Sequence, residues 1–210
     1  MKLVSSSFAD GQTIPGDFSF CIPDPAHHVC LGKNLNPHLA WSDVPTGTKS
    51  FVLICHDPDV PSRGDDVNQE DRTVPATLPR VDFFHWVLID LPASLTEIQA
   101  GEFSDEVTPR GKSGPSAQHG ARQGINDYTA WFAGDHDMRG DYFGYDGPCP
   151  PWNDELRHRY IFTVFALDIE QLPVEGKFGG QQVRDAMQGH ILEEARLTGV
   201  YSLNPSVKTQ

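Results

Sequence analysis

No apolar stretch in the 210 residues is long enough to cross a bilayer as a helix. The amino terminus from Met1 to Gly11 has one lysine and no apolar core, so no secretory signal is expected and a cytoplasmic location is. Basic residues are in deficit, with 16 Lys and Arg against 29 Asp and Glu and a formal net charge of −13. Nucleic-acid backbones need a cationic footprint, so that class of partner is excluded. Cysteine is sparse. Cys21, Cys30, Cys55 and Cys149 contain no C-x-x-C pair and read as reduced core or loop thiols. Several catalytic signatures are missing too: no G-x-S-x-G elbow, no H-E-x-x-H helix and no nucleotide-binding loop. Gly111-Lys112-Ser113 resembles the end of such a loop, but Glu106 stands where the leading glycine is needed.

What is present in quantity is turn-forming residue. The 19 glycines and 17 prolines are scattered, as in short strands joined by many turns, and the chain is read as one mainly β domain over residues 1–210. Three apolar runs read as its central strands. Phe51 to His56 is continuous and of strand length. In Phe83 to Asp90, strict alternation would put His85, Val87 and Ile89 on one face and Phe84, Trp86 and Leu88 on the other. In Tyr160 to Phe165, it groups His158, Tyr160, Phe162 and Val164. Near the C-terminus, Val183, Ala186, Met187, Ile191, Leu192 and Ala195 have helical spacing, with Gly199 as the stop.

Polar chemistry gathers at the strand ends. Asp57-Pro58-Asp59 closes the first run, and Leu53, Cys55 and Asp57 share a face; Arg63 is the expected partner for one of the carboxylates. His85-Trp86 lies near the start of the second run. The stiff loop Gly147-Pro148-Cys149-Pro150-Pro151 precedes His158-Arg159-Tyr160 in the third. Two other clusters lead nowhere. Cys21, His27, His28 and Cys30 match no zinc spacing, and the Asp135 to Asp146 segment puts Arg139 at a calcium-ligand position. No metal or other cofactor is expected.

These strand-end motifs, taken together, resemble the phosphatidylethanolamine-binding protein family, also called the Raf kinase inhibitor protein family, and its bacterial branch in particular. The likeness extends to Cys30 through Trp41, to Asp57 through Arg63 with Val60 in place of the family alanine, to Gln123 through Tyr128, and to Ala186 through Leu192. It implies two antiparallel sheets in Greek-key arrangement with a C-terminal helix. It also implies a small pocket for an anion such as phosphate, a carboxylate or a phospholipid head group. Carried over residue by residue, that pocket would use Asp57, Asp59, His85, the backbone of Gly147 and Pro148, His158 and Tyr160, with Trp86 at its edge.

Imidazole N–H groups, the Tyr160 hydroxyl and exposed backbone at Gly147 would donate to the anion, and the aspartates would fix the imidazole tautomers. Insertions near residues 64–80 and 129–141, and the link Trp152 to Arg157, depart from the family pattern, and acidic side chains there would narrow the mouth. Kinase inhibition is not carried over. Two rival readings remain: a hydrolase built on the same Asp and His residues with Cys149 as nucleophile, and a protein-interaction regulator whose acidic loops recruit a basic partner. A homodimer is compatible with all three.

Overall fold

The computed structural model describes residues 1–207. Ten strands carry it: β1 (Lys2–Val4), β2 (Cys21–Asp24), β3 (His28–Leu31), β4 (Leu39–Ser42), β5 (Ser50–Pro61), β6 (Arg80–Pro92), β7 (Glu97–Ile98), β8 (Arg122–Gln123), β9 (His158–Leu167) and β10 (Ile191–Tyr201). Two short helices, α1 (Tyr128–Trp131) and α2 (Gly180–Ala186), complete it. The main sheet is antiparallel in the order β10-β9-β5-β6-β8. A second sheet, β1-β4-β7, lies over one face, and β2-β3 is a separate hairpin. No helix among the described residues is long and apolar enough to cross a membrane.

β5 is central because it is apolar on both faces, and both faces are covered. Phe51, Leu53 and Cys55 point inward to Trp41 and Leu39 of β4, together with Trp86, Leu88, Phe162 and Val164. Val52 and Ile54 point outward, under Leu172, Phe178, Val183 and Met187, so α2 and the loops beside it form a third layer. Each of these side chains is essentially fully buried, a contribution of about 1.5–3 kcal/mol apiece before conformational entropy is set against it.

Strict alternation fails in β6. Cys55 pairs with Trp86 and His56 with Phe84, so His85 is an extra residue, a β-bulge. The bulge resets the pleat. Val87, Ile89 and Phe84 face outward, whereas Trp86 and Leu88 join the inner core, and Phe83 and His85 turn to that same inner side. His85 therefore does not share a face with Val87 and Ile89, as period two would require. The backbone beside the bulge is served by Asp127, just before α1: its carboxylate accepts from the Phe84 amide at 2.7 Å, and its own amide donates to the Phe84 carbonyl at 2.9 Å.

The C-terminal helix is shorter than its spacing predicts. α2 ends at Ala186, and Ile191 onward is a strand paired with β9 from Ile191↔Leu167 to Tyr201↔His158. The apolar spacing continues across the turn at 188–190, but Ile191 and Leu192 are 42% and 41% exposed and pack no helix face. Gly199 is no helix stop. It lies within β10, where a Cβ would come within 2.4 Å of Ile14.

Candidate functional site

At one end of the main sheet, β5, β6 and β9 run past the β1-β4-β7 layer and leave a cavity of about 210 Å³. Asp57, His85, His158 and Tyr160, far apart in the chain, line it together. The remaining walls are largely apolar. Phe20, Phe83, Tyr128, Trp131 and Phe132 contribute rings, and Val60, Pro61 and Val67 close the side toward β5. Gly64, Val67 and Asn68 come from the first expected insertion, and Trp131 and Phe132 from the second. Those loops thus bring aromatic, aliphatic and small side chains to the mouth, and none of the acidic residues expected to narrow it.

His158 is the most constrained polar group. Its Nδ1 lies 2.6 Å from Oδ2 of Asp57 and its Nε2 3.1 Å from Oδ2 of Asp154. Burial alone would depress its pKa, but the hydrogen bonds and charges of Asp154 and Asp57 outweigh that and raise it to about 9. It is an imidazolium at neutral pH with both protons already donated. Asp154 is itself gripped by Arg80, at 2.5 and 3.0 Å. Burial pushes the Asp154 carboxyl up, and the bonds to His158 and Arg80 bring it below the ordinary range.

His85 is the opposite case. Its Nδ1 donates to the Asp146 carbonyl at 2.7 Å, which fixes the tautomer, and Nε2 has no hydrogen-bond partner among the described residues. Burial lowers its pKa and outweighs the opposing charge of Asp57. Beside it stands Tyr160, whose ring meets that of His85 edge-on at 5.1 Å. The Tyr160 hydroxyl is buried without a partner among the described residues. Burial pushes this phenol well above its ordinary value, so it stays a donor.

Four of the sequence-derived site residues are not at the cavity surface. Asp59 is held by Arg159, whose Nε and Nη2 donate at 2.9 and 2.8 Å and whose amide adds a third bond. The partner expected for these carboxylates, Arg63, lies instead 3.7 Å from Asp65. Trp86 is fully buried behind the site, with its indole N–H on Gln123 at 3.0 Å and its ring against Tyr145 and Phe103. Gly147 and Pro148 form the back of the wall. The Gly147 amide donates to Asn34, and its carbonyl accepts from the Tyr128 hydroxyl. A Cβ there would come within 2.3 Å of the Phe18 carbonyl oxygen, so the glycine serves close packing rather than ligand approach. The Pro148 carbonyl accepts from the amides of Phe20 and Cys21.

Cys21 and Cys149 form a disulfide across 128 residues, and both line the cavity. This corrects the reading of all four cysteines as reduced thiols. Only Cys30 and Cys55 are free. Nothing in the spacing of the cysteines announces the bond; the fold brings together two loops that sequence order keeps apart. The link also removes Cys149 as a thiolate nucleophile. Sequence reasoning missed Asp154, Arg80 and Tyr128 as well. Asp154 carried the one available signal, a carboxylate four residues before the strand-end histidine.

A family model described as phosphatidylethanolamine-binding protein matches residues 4–202 of the chain. A UPF0098 protein of Aquifex aeolicus is 34% identical over 201 residues, covering 96% of this chain and 88% of its own length. The UPF0098 protein YbhB of Escherichia coli is 33% identical over 207 residues, covering 96% and 100%. Two crystal structures share the fold. Escherichia coli YbcL, described as a new member of the mammalian PEBP family, aligns with a TM-score of 0.67 at 26% identity, covering 96% of this chain and 97% of its own. A phosphatidylethanolamine-binding protein homolog from Chlamydia trachomatis aligns with a TM-score of 0.63 at 30% identity, covering 96% of each chain.

Proposed function

The chain belongs to the phosphatidylethanolamine-binding protein family, and from that premise we propose that it binds, without chemical turnover, a small anionic ligand such as a phosphate, a carboxylate or a phospholipid head group. The ligand's acidic end sits at Asp57, His85, His158 and Tyr160, and an apolar body lies along the aromatic walls. One observation carries this reading: Tyr160, whose buried hydroxyl has no partner among the described residues, and His85, whose Nε2 is free, stand with their rings 5.1 Å apart in the lining of a largely apolar cavity. A buried polar atom left without a partner costs about 1–3 kcal/mol, which a ligand oxygen accepting from Tyr160 would recover. His158 has both ring nitrogens engaged by Asp57 and Asp154, so its part is to hold the Asp57 carboxylate in place beside the ligand rather than to donate to it. A hydrolase on the same residues loses its candidate nucleophile to the disulfide.

The test is an NMR titration with phosphate and with phosphoethanolamine at about pH 6, near the ordinary imidazole range. Ligand-dependent shifts at the His85 ring and the Tyr160 resonances are expected. Unmoved resonances at His85 and His158 would retire the reading.

A further inference from the structure

The charges that face His85 leave an anion without a counter-charge. From β5 comes Asp57, from β9 come His158 and Tyr160, from α1 comes Tyr128, and from the loop before Gly147 comes Asp146, whose carbonyl holds Nδ1. Asp57, His158, Asp154 and Arg80 form one chain of contacts in which the two negative and two positive charges cancel. Asp146 is fully buried and neutralised by Lys112, with Asn34 and Asn126 on its oxygens. Asp59 is matched by Arg159. An anion entering the apolar cavity would thus be an uncompensated charge out of water, which is costly. It would also bring an oxygen lone pair up to the lone pair of Nε2.

On the proposed ligand reading, we infer that the protein takes up its anion together with one proton, which lies between a ligand oxygen and Nε2 of His85. The ligand class is therefore a monoacid with an apolar body: a carboxylic acid, or a phosphate monoester carrying one proton, rather than a dianion. The balance is simple. Solvent supplies the proton, Nε2 and the ligand oxygen share it in a charge-assisted hydrogen bond, Tyr160 donates to the second oxygen, and no net charge is buried. The depressed basicity of the unliganded ring supports this, because a proton absent before binding at neutral pH is taken up on binding.

The experiment is isothermal titration of hexanoate into the full chain at about pH 7, in two buffers of different ionisation enthalpy, with phosphoethanolamine titrated in parallel. The expected result is an uptake of about one proton per hexanoate bound and an affinity that weakens about tenfold per pH unit toward alkaline pH, as one linked proton requires. In His85→Gln, uptake should fall to near zero and the pH dependence should flatten. Binding with no proton uptake, or with proton release, overturns the inference and leaves small-ligand binding standing. If neither hexanoate nor phosphoethanolamine gives heat, and no NMR shift appears, the underlying reading fails and the inference with it.

Discussion

Nδ1 of His158 and Oδ2 of Asp57 meet at 2.6 Å across 101 residues of sequence, and neither side chain has appreciable exposure. This contact joins the first residue of β9 to Asp57 within β5, and both line the cavity. Charges so placed are expensive when paired and far more so when one partner is removed.

Replacing His158 with alanine leaves Asp57 and Asp154 facing each other without the cation between them. The expected loss is roughly 3–5 kcal/mol of folding stability, measured as a fall in the urea midpoint at neutral pH with an unchanged slope. A change below about 1 kcal/mol would mean that the imidazolium is not the keystone of this cluster.

The same imidazole makes stability depend on pH. Its folded pKa of about 9 lies above the ordinary 6.5, so its contribution is fully present below pH 6.5 and is lost as pH rises through 9. The shift corresponds to about 3 kcal/mol. Asp154 and Asp59 act in the other direction: their carboxyls are depressed, so their contributions hold above the ordinary value of 3.8 and fade as pH falls below it. Denaturant midpoints across the pH range should trace a dome whose alkaline limb disappears in His158→Gln.

Tyr160→Phe separates a ligand role from a packing role. It removes a buried hydroxyl that has no partner among the described residues, so thermal stability should hold or rise slightly. Affinity for phosphoethanolamine should fall about tenfold, the worth of one hydrogen bond of about 1.4 kcal/mol. A destabilised variant with unchanged affinity would contradict both halves.

The Cys21–Cys149 link closes a loop of 128 residues. The chain-entropy account gives such a closure roughly 3–5 kcal/mol. Cys149→Ser, or the wild type under reductant, should therefore unfold at a lower denaturant concentration, and the two should coincide. Structural disulfides are uncommon in reducing compartments, so this bond withdraws one of the supports for a cytoplasmic location.

Much of the fold was legible because its central strands are written in apolar runs. β5 and β9 follow their alternation: Leu53, Cys55 and Asp57 do share a face, as do Tyr160, Phe162 and Val164. β6 could not be read that way, because a bulge adds one residue without leaving a mark in composition and inverts the pattern on one side of it. The stripe from Val183 to Ala195 was misleading for a related reason, since helix and strand spacings coincide over a few residues and only the pairing of β10 with β9 decides. At the site, the types of the cavity-facing residues were evident. Their hydrogen-bond state was not, because it depends on Asp154, Arg80 and the Asp146 carbonyl, which the fold delivers from elsewhere.

The walls of the cavity come from Phe20, Asp57, His85, Tyr128, Cys149 and Tyr160, each on a different segment of the polypeptide. No short fragment of the chain contains the receptor, which exists only once these segments have come together. Occupancy would therefore act as a certificate of completed folding.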